Sequence, residues 1–174
     1  MCGLVLGAFL ISSLSGQTAA DSVIQRRDAS LKGVTGIVVI VVTNSNLSSE
    51  TIGPRLDKEK LRTSAELRLR KAGIKVIPNN SPYGPDDGFL LMKLDLFAPA
   101  HAPLVTYRVD LGFYQKAILL RKAQTGGADW VPVATWSNDS LGTVGTDNVG
   151  DVRSQFDDLI DEFANKYLEQ NPTR

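Results

Sequence analysis

The chain of 174 residues holds one cysteine and one histidine. Zinc ligation, a Cys/His nucleophile pair and a disulfide framework all draw on these residue types, so each lacks its raw material. Net charge is missing as well. Nineteen Lys and Arg balance nineteen Asp and Glu, which argues against a nucleic-acid backbone or an anionic membrane surface as an electrostatic partner. No apolar run reaches the ~20 residues that a membrane-spanning helix requires. What is present is 43% hydrophobic and 22% charged, enough to bury a core within a single domain.

The first apolar run, residues 2–14 (CGLVLGAFLISSL), has the length of a signal-peptide core and precedes the small residues Thr18-Ala19-Ala20. It predicts a leader spanning residues 1–20, cleaved after Ala20, and a periplasmic or secreted product. Cys2 lies before the run rather than after it, which does not fit a lipoprotein acylation site. The processed chain then has no cysteine, and packing alone must stabilise it. Residues 21–32 (DSVIQRRDASLK) are mixed and charged. They are expected to form a flexible lead-in or one helical turn, ahead of a single α+β domain over residues 33–174.

Residues 36–43 (GIVVIVVT) are continuously apolar and β-branched, the pattern of a strand buried on both faces inside a sheet. Asp57 opens a predicted helix running to Ala72, with Leu61, Ala65, Leu69 and Ala72 on its core face and Gly73 as a left-handed cap. A short strand follows over residues 74–77, so this stretch reads as a β-α-β unit. Residues 78–88 (PNNSPYGPDDG) have the turn chemistry of an exposed loop. Alternation then predicts a strand over residues 89–97 with Leu90, Met92, Leu94 and Leu96 inward. A long strand is expected from Leu104 to about Arg121, with Val105, Tyr107, Val109, Leu111 and Phe113 inward and a bulge at Gly112. Gly126-Gly127 marks a hairpin leading to a strand over residues 130–136, where Pro132 argues for an edge. A loop is expected over residues 142–147. The last helix carries Val149, Val152, Phe156, Leu159, Ile160, Phe163 and Tyr167 on one stripe. The order β-α-β-β-β-β-α predicts a two-layer α+β sandwich: a mostly antiparallel sheet with two helices on one face.

Little of this carries chemistry. His101 lies in a proline-flanked turn, PAHAP, which offers a general base neither a cleft nor an orienting acid. Asp157, Asp158, Asp161 and Glu162 form an acidic helix face, with Lys166 four residues beyond Glu162 as an expected ion-pair partner; one straight helix supplies too few converging oxygens for a cation. Asp86-Asp87-Gly88 lacks the spacing of a calcium loop. The glycines of residues 142–148 match no phosphate-binding fingerprint, and Thr146 or Asp147 is expected simply to cap the following helix. Lys58, Lys60, Arg62, Arg68, Arg70 and Lys71 make the first long helix basic outside, an ordinary solvated face. No catalytic residue, cofactor or metal is expected.

The sheet face opposite the helices is different. It places Phe89, Leu91, Phe97, Leu104, Tyr114 and Ile118 among Lys93, Asp95, Thr106, Arg108, Asp110 and Lys116, too apolar in parts to face water unaided. Phe89, Leu91, Phe97, Arg108, Tyr114 and Ile118 are the candidate contact residues, facing a protein partner or a second copy, unless the N-terminal segment covers them. The expected function is therefore non-catalytic contact, with envelope assembly as one setting. Two alternatives stand beside it. One is a small-ligand carrier with a pocket between the sheet and the loops at 78–88 and 137–148; the other is an enzyme using Asp95 and Asp110.

The segments LKGVTGIVVIVV, LRTSAELRLRKAGIKVI, YQKAILLRKA, ATWSNDSLGTVG and FDDLIDEFANKYLEQNP together resemble a family of small uncharacterised exported bacterial proteins, over residues 31–172. The resemblance implies export and transfers no activity. In topology the chain is similar to the amino-terminal domain of the TolB type and to CsgG-like lipoproteins of envelope assembly.

Overall fold

A computed structural model describes residues 19–82, 84–118 and 130–172. The elements in chain order are α1 (Ala19–Ala29), β1 (Gly36–Ser45), α2 (Ser49–Ile52), α3 (Lys58–Lys71), β2 (Val76–Ile77), β3 (Asp87–Phe97), β4 (Leu104–Ile118), β5 (Trp130–Gly145) and α4 (Val152–Gln170). Short 3-10 turns, Pro54–Leu56 and Thr146–Asp151, lead into α3 and α4. The strands form one mixed sheet in the order β2-β1-β3-β4-β5. β1 is parallel to both β2 and β3, while β3-β4-β5 is an antiparallel meander that holds most of the paired residues. This is a two-layer α+β fold.

The β1-α3-β2 unit forms for the reasons legible in the chain. The Asp57 carboxylate accepts the Lys60 N–H at 3.0 Å and caps α3, Leu61, Ala65 and Leu69 turn inward, and Gly73 ends the helix at φ +81°, a conformation that costs a residue with a Cβ. Alternation places Ile37, Val39 and Val41 of β1, Leu90, Met92, Leu94 and Leu96 of β3, and Val105, Val109, Leu111 and Phe113 of β4 in the same core as the α4 stripe. At its centre Phe163 lies 5.5 Å from the Phe113 ring and 5.2 Å, edge-on, from Trp136.

Several expectations change. Residues 21–32 are not a mobile lead-in. They carry most of α1, which lies against α4 and β5, and Asp28 is buried there. Asp28 Oδ1 accepts the Trp136 indole N–H at 3.0 Å and sits 3.0 Å from Arg27 Nε, whose guanidinium stands 5.2 Å from the Trp136 ring. Leu31 and Val34 belong to the core, and α4 clasps them: Tyr167 Oη donates to the Val34 carbonyl at 2.7 Å and Asn171 Nδ2 to the Leu31 carbonyl at 2.8 Å. The core therefore begins before residue 33.

Residues 142–145, read as loop, continue β5. Neither Thr146 nor Asp147 caps α4, whose first turn has no side-chain cap. The bulge falls between Phe113 and Tyr114, one residue past Gly112, with Thr135 of β5 as the extra residue. β1 lies inside the sheet, but both of its faces are covered only as far as Val39; Val42 on the side away from the helices is exposed. The apolar run of residues 2–14, the turn at Gly126-Gly127 and the expected strand end near Arg121 lie outside the described residues.

Candidate functional site

With α3 and α4 on one side, the other side of the sheet is the candidate site. Register sets its rows from β1 to β5: Val38, Phe89, Tyr114 and Ala134; Ile40, Leu91, Gly112 and Ser137; Val42, Lys93, Asp110 and Asp139; Asn44, Asp95, Arg108 and Leu141. Phe97 stands beside Thr106, and Ile118 beside Trp130 at the far end of the β4–β5 hairpin. All six contact residues named from the sequence thus share this side. The described N-terminal residues do not cover it, because α1 packs against α4 and the Trp136 side of β5.

The face has three zones. At one end Phe89 and Tyr114 stack with ring centres 4.9 Å apart and planes 1° from parallel. Gly112 makes this possible, since a Cβ there would come within 2.9 Å of the Tyr114 ring. Ile77, Val38 and Leu91 border the stack, which leaves both rings half-buried. The middle is a checkerboard of charge. Lys93 Nζ lies 2.9 Å from Asp95 Oδ2, Arg108 Nη2 lies 2.7 Å from Asp110 Oδ1, and Asn44 Nδ2 donates to Asp95 Oδ1 at 2.7 Å. Asp139 stands opposite Asp110, with Arg108 Nε 3.9 Å from its carboxylate. The third zone is apolar and wet: Phe97 is 58% and Leu141 70% exposed. It borders a hollow of about 400 Å³ between Asn44, Asp95, Phe97, Tyr107, Arg108 and Leu141.

The electrostatics of the middle zone are those of settled ion pairs. Partial burial works to raise the Asp95 carboxyl, but the hydrogen bonds from Lys93 and Asn44 outweigh it and hold the group below the ordinary carboxylate range. The same Asp95 contact raises the Lys93 ammonium. A proton-donating carboxylic acid needs the reverse displacement. Asp95 and Asp110 are each tied to a cation on this side of the sheet, Lys93 and Arg108 respectively.

The other candidates resolve into structural roles. Asp87, the acid of Asp86-Asp87-Gly88, accepts from Thr35 Oγ1 at 2.7 Å and from the Gly84 N–H at 2.6 Å, anchoring the loop before β3. Asp157 and Asp161 pair with Arg68 of α3 at 3.0 and 2.6 Å, so the acidic face of α4 and the basic face of α3 partly neutralise each other. Glu162 does not pair with Lys166 as expected. It accepts from Asn138 Nδ2 at 2.7 Å, while Lys166 reaches Glu169 at 2.9 Å and Asp28 at 3.9 Å. His101 is exposed at φ +66° in the β3–β4 turn. Among the described residues no group of three or more His, Cys, Asp or Glu is placed to hold a metal. Among the described residues the segments at 78–88 and 137–148 do not share one pocket, since β2 and β5 occupy opposite edges of the sheet; Ser137, Asn138 and Asp139 border a hollow over the sheet with Lys93 and Asp110, and Pro78, Asn79 and Asn80 border another against α3.

The sequence reading missed Leu141, Asp139 and the outward side chains of β1. In β5 both sides past Trp136 read as polar or small (SNDSLGTVG), so no alternation announces a strand. Their place on the face comes from pairing with β4.

The arrangement defines the chain as a two-layer α+β sandwich with one sheet face that none of the described helices covers. No protein-family model and no curated protein matches it. Among solved structures it is similar to a PelC dodecamer from Paraburkholderia phytofirmans, with 12% identity, a TM-score of 0.43, and coverage of 78% of this chain and 89% of that one. It is also similar to a neuraminyllactose-binding hemagglutinin homolog from Helicobacter pylori, with 11% identity, a TM-score of 0.39, and coverage of 79% and 88%. The fold assignment rests on the strand register, not on these likenesses.

Proposed function

We propose that this is an exported, non-catalytic protein that acts by protein–protein contact through the open face of its sheet, with the periplasm or the cell exterior as its setting. One observation carries the reading: the described helices cover a single side of the sheet, and on the other Phe97, Ile118 and Leu141 are 58%, 65% and 70% exposed around a self-paired charge lattice. Exposed apolar side chains of this size mark a contact surface, in which the apolar parts contribute affinity and the charges between them set orientation. Export is supported by the leader-like residues 2–20. Among the described residues no helix is long and apolar enough to cross a membrane.

The test is a Phe97→Asp, Ile118→Asp double variant run beside the unaltered chain in envelope extract of the producing cell, with apparent mass read by chromatography and light scattering. The reading expects a complex larger than the purified chain alone, lost in the double variant while its circular dichroism is unchanged. A chain whose mass in extract equals its purified mass overturns it. A second reading is a small-ligand carrier, for which the open hollow beside Phe97 and Leu141 offers an almost wholly apolar lining. Native mass spectrometry of the freshly purified protein decides: a bound mass supports the carrier, and a bare chain removes it.

A further inference from the structure

The two edges of the sheet are unlike. β2 closes one edge with two residues, short enough to offer little for another strand to pair with. β5 closes the other with sixteen. Two observations establish which of its backbone groups point away from β4. The carbonyls of Thr135 and Ser137 accept from Ser30 Oγ at 3.1 Å and Arg27 Nη1 at 3.0 Å, both on the α1 side. At the other end the Thr146 N–H donates to the Pro103 carbonyl at 3.3 Å, one step beyond the Leu104–Gly145 pair. Successive residues of an antiparallel strand present their N–H and C=O groups to opposite sides. Even-numbered positions from 138 to 146 therefore bond to β4, and Asp139, Leu141 and Thr143 point outward.

The first half of this edge is blunted, by Pro132 and by the α1 side chains on residues 135 and 137. The second half, residues 139–143, has no proline and no lysine, two common means of discouraging edge pairing. The Asp139 N–H is taken by its neighbour Asn138 Oδ1 at 2.9 Å. Among the described residues no hydrogen bond reaches the outward N–H or C=O of Leu141 or Thr143. Leu141, at the midpoint, is the most exposed large apolar side chain of the described residues, at 70%.

We propose that β5 pairs with β5 of a second copy, antiparallel and with the twofold axis at Leu141, joining two sheets through their 139–143 edges. The register is self-complementary. Leu141 meets its own counterpart, and the Thr143 N–H meets the Asp139 carbonyl in both directions while the Asp139 N–H stays with Asn138, so no carboxylate opposes another. Shifting the axis to Asp139 sets that carboxylate against itself, which is unfavourable, and drives the second strand toward α1. Shifting it to Thr143 places Leu141 opposite Gly145, where β5 ends. Of the axes that pass through an outward residue, the Leu141 axis alone keeps Asp139, Leu141 and Thr143 all within the paired window, and its twofold pairing is self-complementary. This goes beyond the open-face reading, because it uses the strand edge and names the partner.

The experiment compares the chain with its Thr143→Pro, Leu141→Lys and Phe97→Asp variants by light scattering over a dilution series, with amide exchange followed by NMR. Proline at 143 removes an outward N–H and leaves the β4 ladder intact, while lysine at 141 sets like charges together on the axis. The expected result is a dimer in which the Leu141 and Thr143 amides exchange at least about tenfold more slowly than in the diluted monomer. Thr143→Pro and Leu141→Lys should weaken it by about tenfold or more with unchanged circular dichroism, whereas Phe97→Asp should leave it intact. A chain monomeric at about 1 mM, or a dimer indifferent to both edge variants, overturns the edge proposal. A dimer lost in Phe97→Asp but kept in Thr143→Pro overturns it too while leaving the open face as the contact surface. Failure of the extract experiment with the edge dimer intact would remove the open-face reading alone.

Discussion

The two faces of one sheet are built from the same strands by the same alternation, yet they follow different rules. On the helix side Phe113, Trp136 and Phe163 interlock with no polar atom left open: the one indole N–H among them finds Asp28. On the open side aromatic rings also pair, Phe89 on Tyr114, but beside a lattice of ions and next to side chains in water. A covered face is held by packing that a missing methylene disturbs. An open face is held by register and leaves its side chains available for something else. The difference teaches that tight packing gathers on one side of the sheet, while exposed apolar side chains gather on the other and along the β5 edge.

Substitutions can break that comparison or sharpen it. The largest expected effect belongs to Phe163→Ala, which removes the ring between Phe113 and Trp136; a loss of about 3–5 kcal/mol in urea unfolding is expected. A loss near zero would mean that the helix side is not the core. Asp28→Ala comes next. It strips the buried Trp136 N–H of its acceptor and should cost about 1–3 kcal/mol, with altered Trp136 emission in a Trp130→Phe background. An unchanged unfolding midpoint would show that α1 does not contribute to the helix side.

The third prediction is acid dependence through Asp87. The Thr35 hydroxyl, opposed by burial and helped by the Gly84 N–H, holds this carboxyl below its ordinary range. A group with a depressed folded pKa contributes stability that is fully present above the unfolded value of about 3.9 and is lost as pH falls through the folded value. Asp87→Asn should therefore flatten the stability profile below about pH 4; a variant as acid-sensitive as the parent would contradict that role. The smallest effect is expected from Phe97→Asp on the open face, within about 0.5 kcal/mol of the parent in unfolding. A loss comparable with that of Phe163→Ala would erase the distinction between the faces.

Much of this was legible in the chain. The alternation of residues 89–97 and 104–114 assigned both faces residue by residue, and the α4 stripe and the Asp57–Gly73 brackets of α3 lie where periodicity and capping place them. These signals are local and redundant, since each inward position repeats the pattern of its neighbours. α1 was not legible, because its sequence is polar and its anchorage comes from single contacts: Asp28 with Trp136, Ser30 with Thr135. Nor was the second half of β5, whose side chains show no apolar alternation; β4, fifteen residues long and already patterned, templates it. The six contact residues were placed on one face from alternation alone, but Leu141 joined them only through pairing with Arg108 of β4.

By itself, then, the sequence determined the succession of the five strands with α3 and α4, the inward residues of the long strands and helices, and the scarcity of the cysteine and histidine from which zinc sites and disulfides are built. Each of these depends on nearest neighbours or on composition, which a chain carries before it folds. The tertiary structure decided the order β2-β1-β3-β4-β5, the placing of α1 on the helix side, and the exposure of Asp139, Leu141 and Thr143 along an edge. Those depend on which distant strands exchange backbone hydrogen bonds, and a backbone N–H is the same group at every residue except proline. No side-chain pattern records its partner until the sheet has formed.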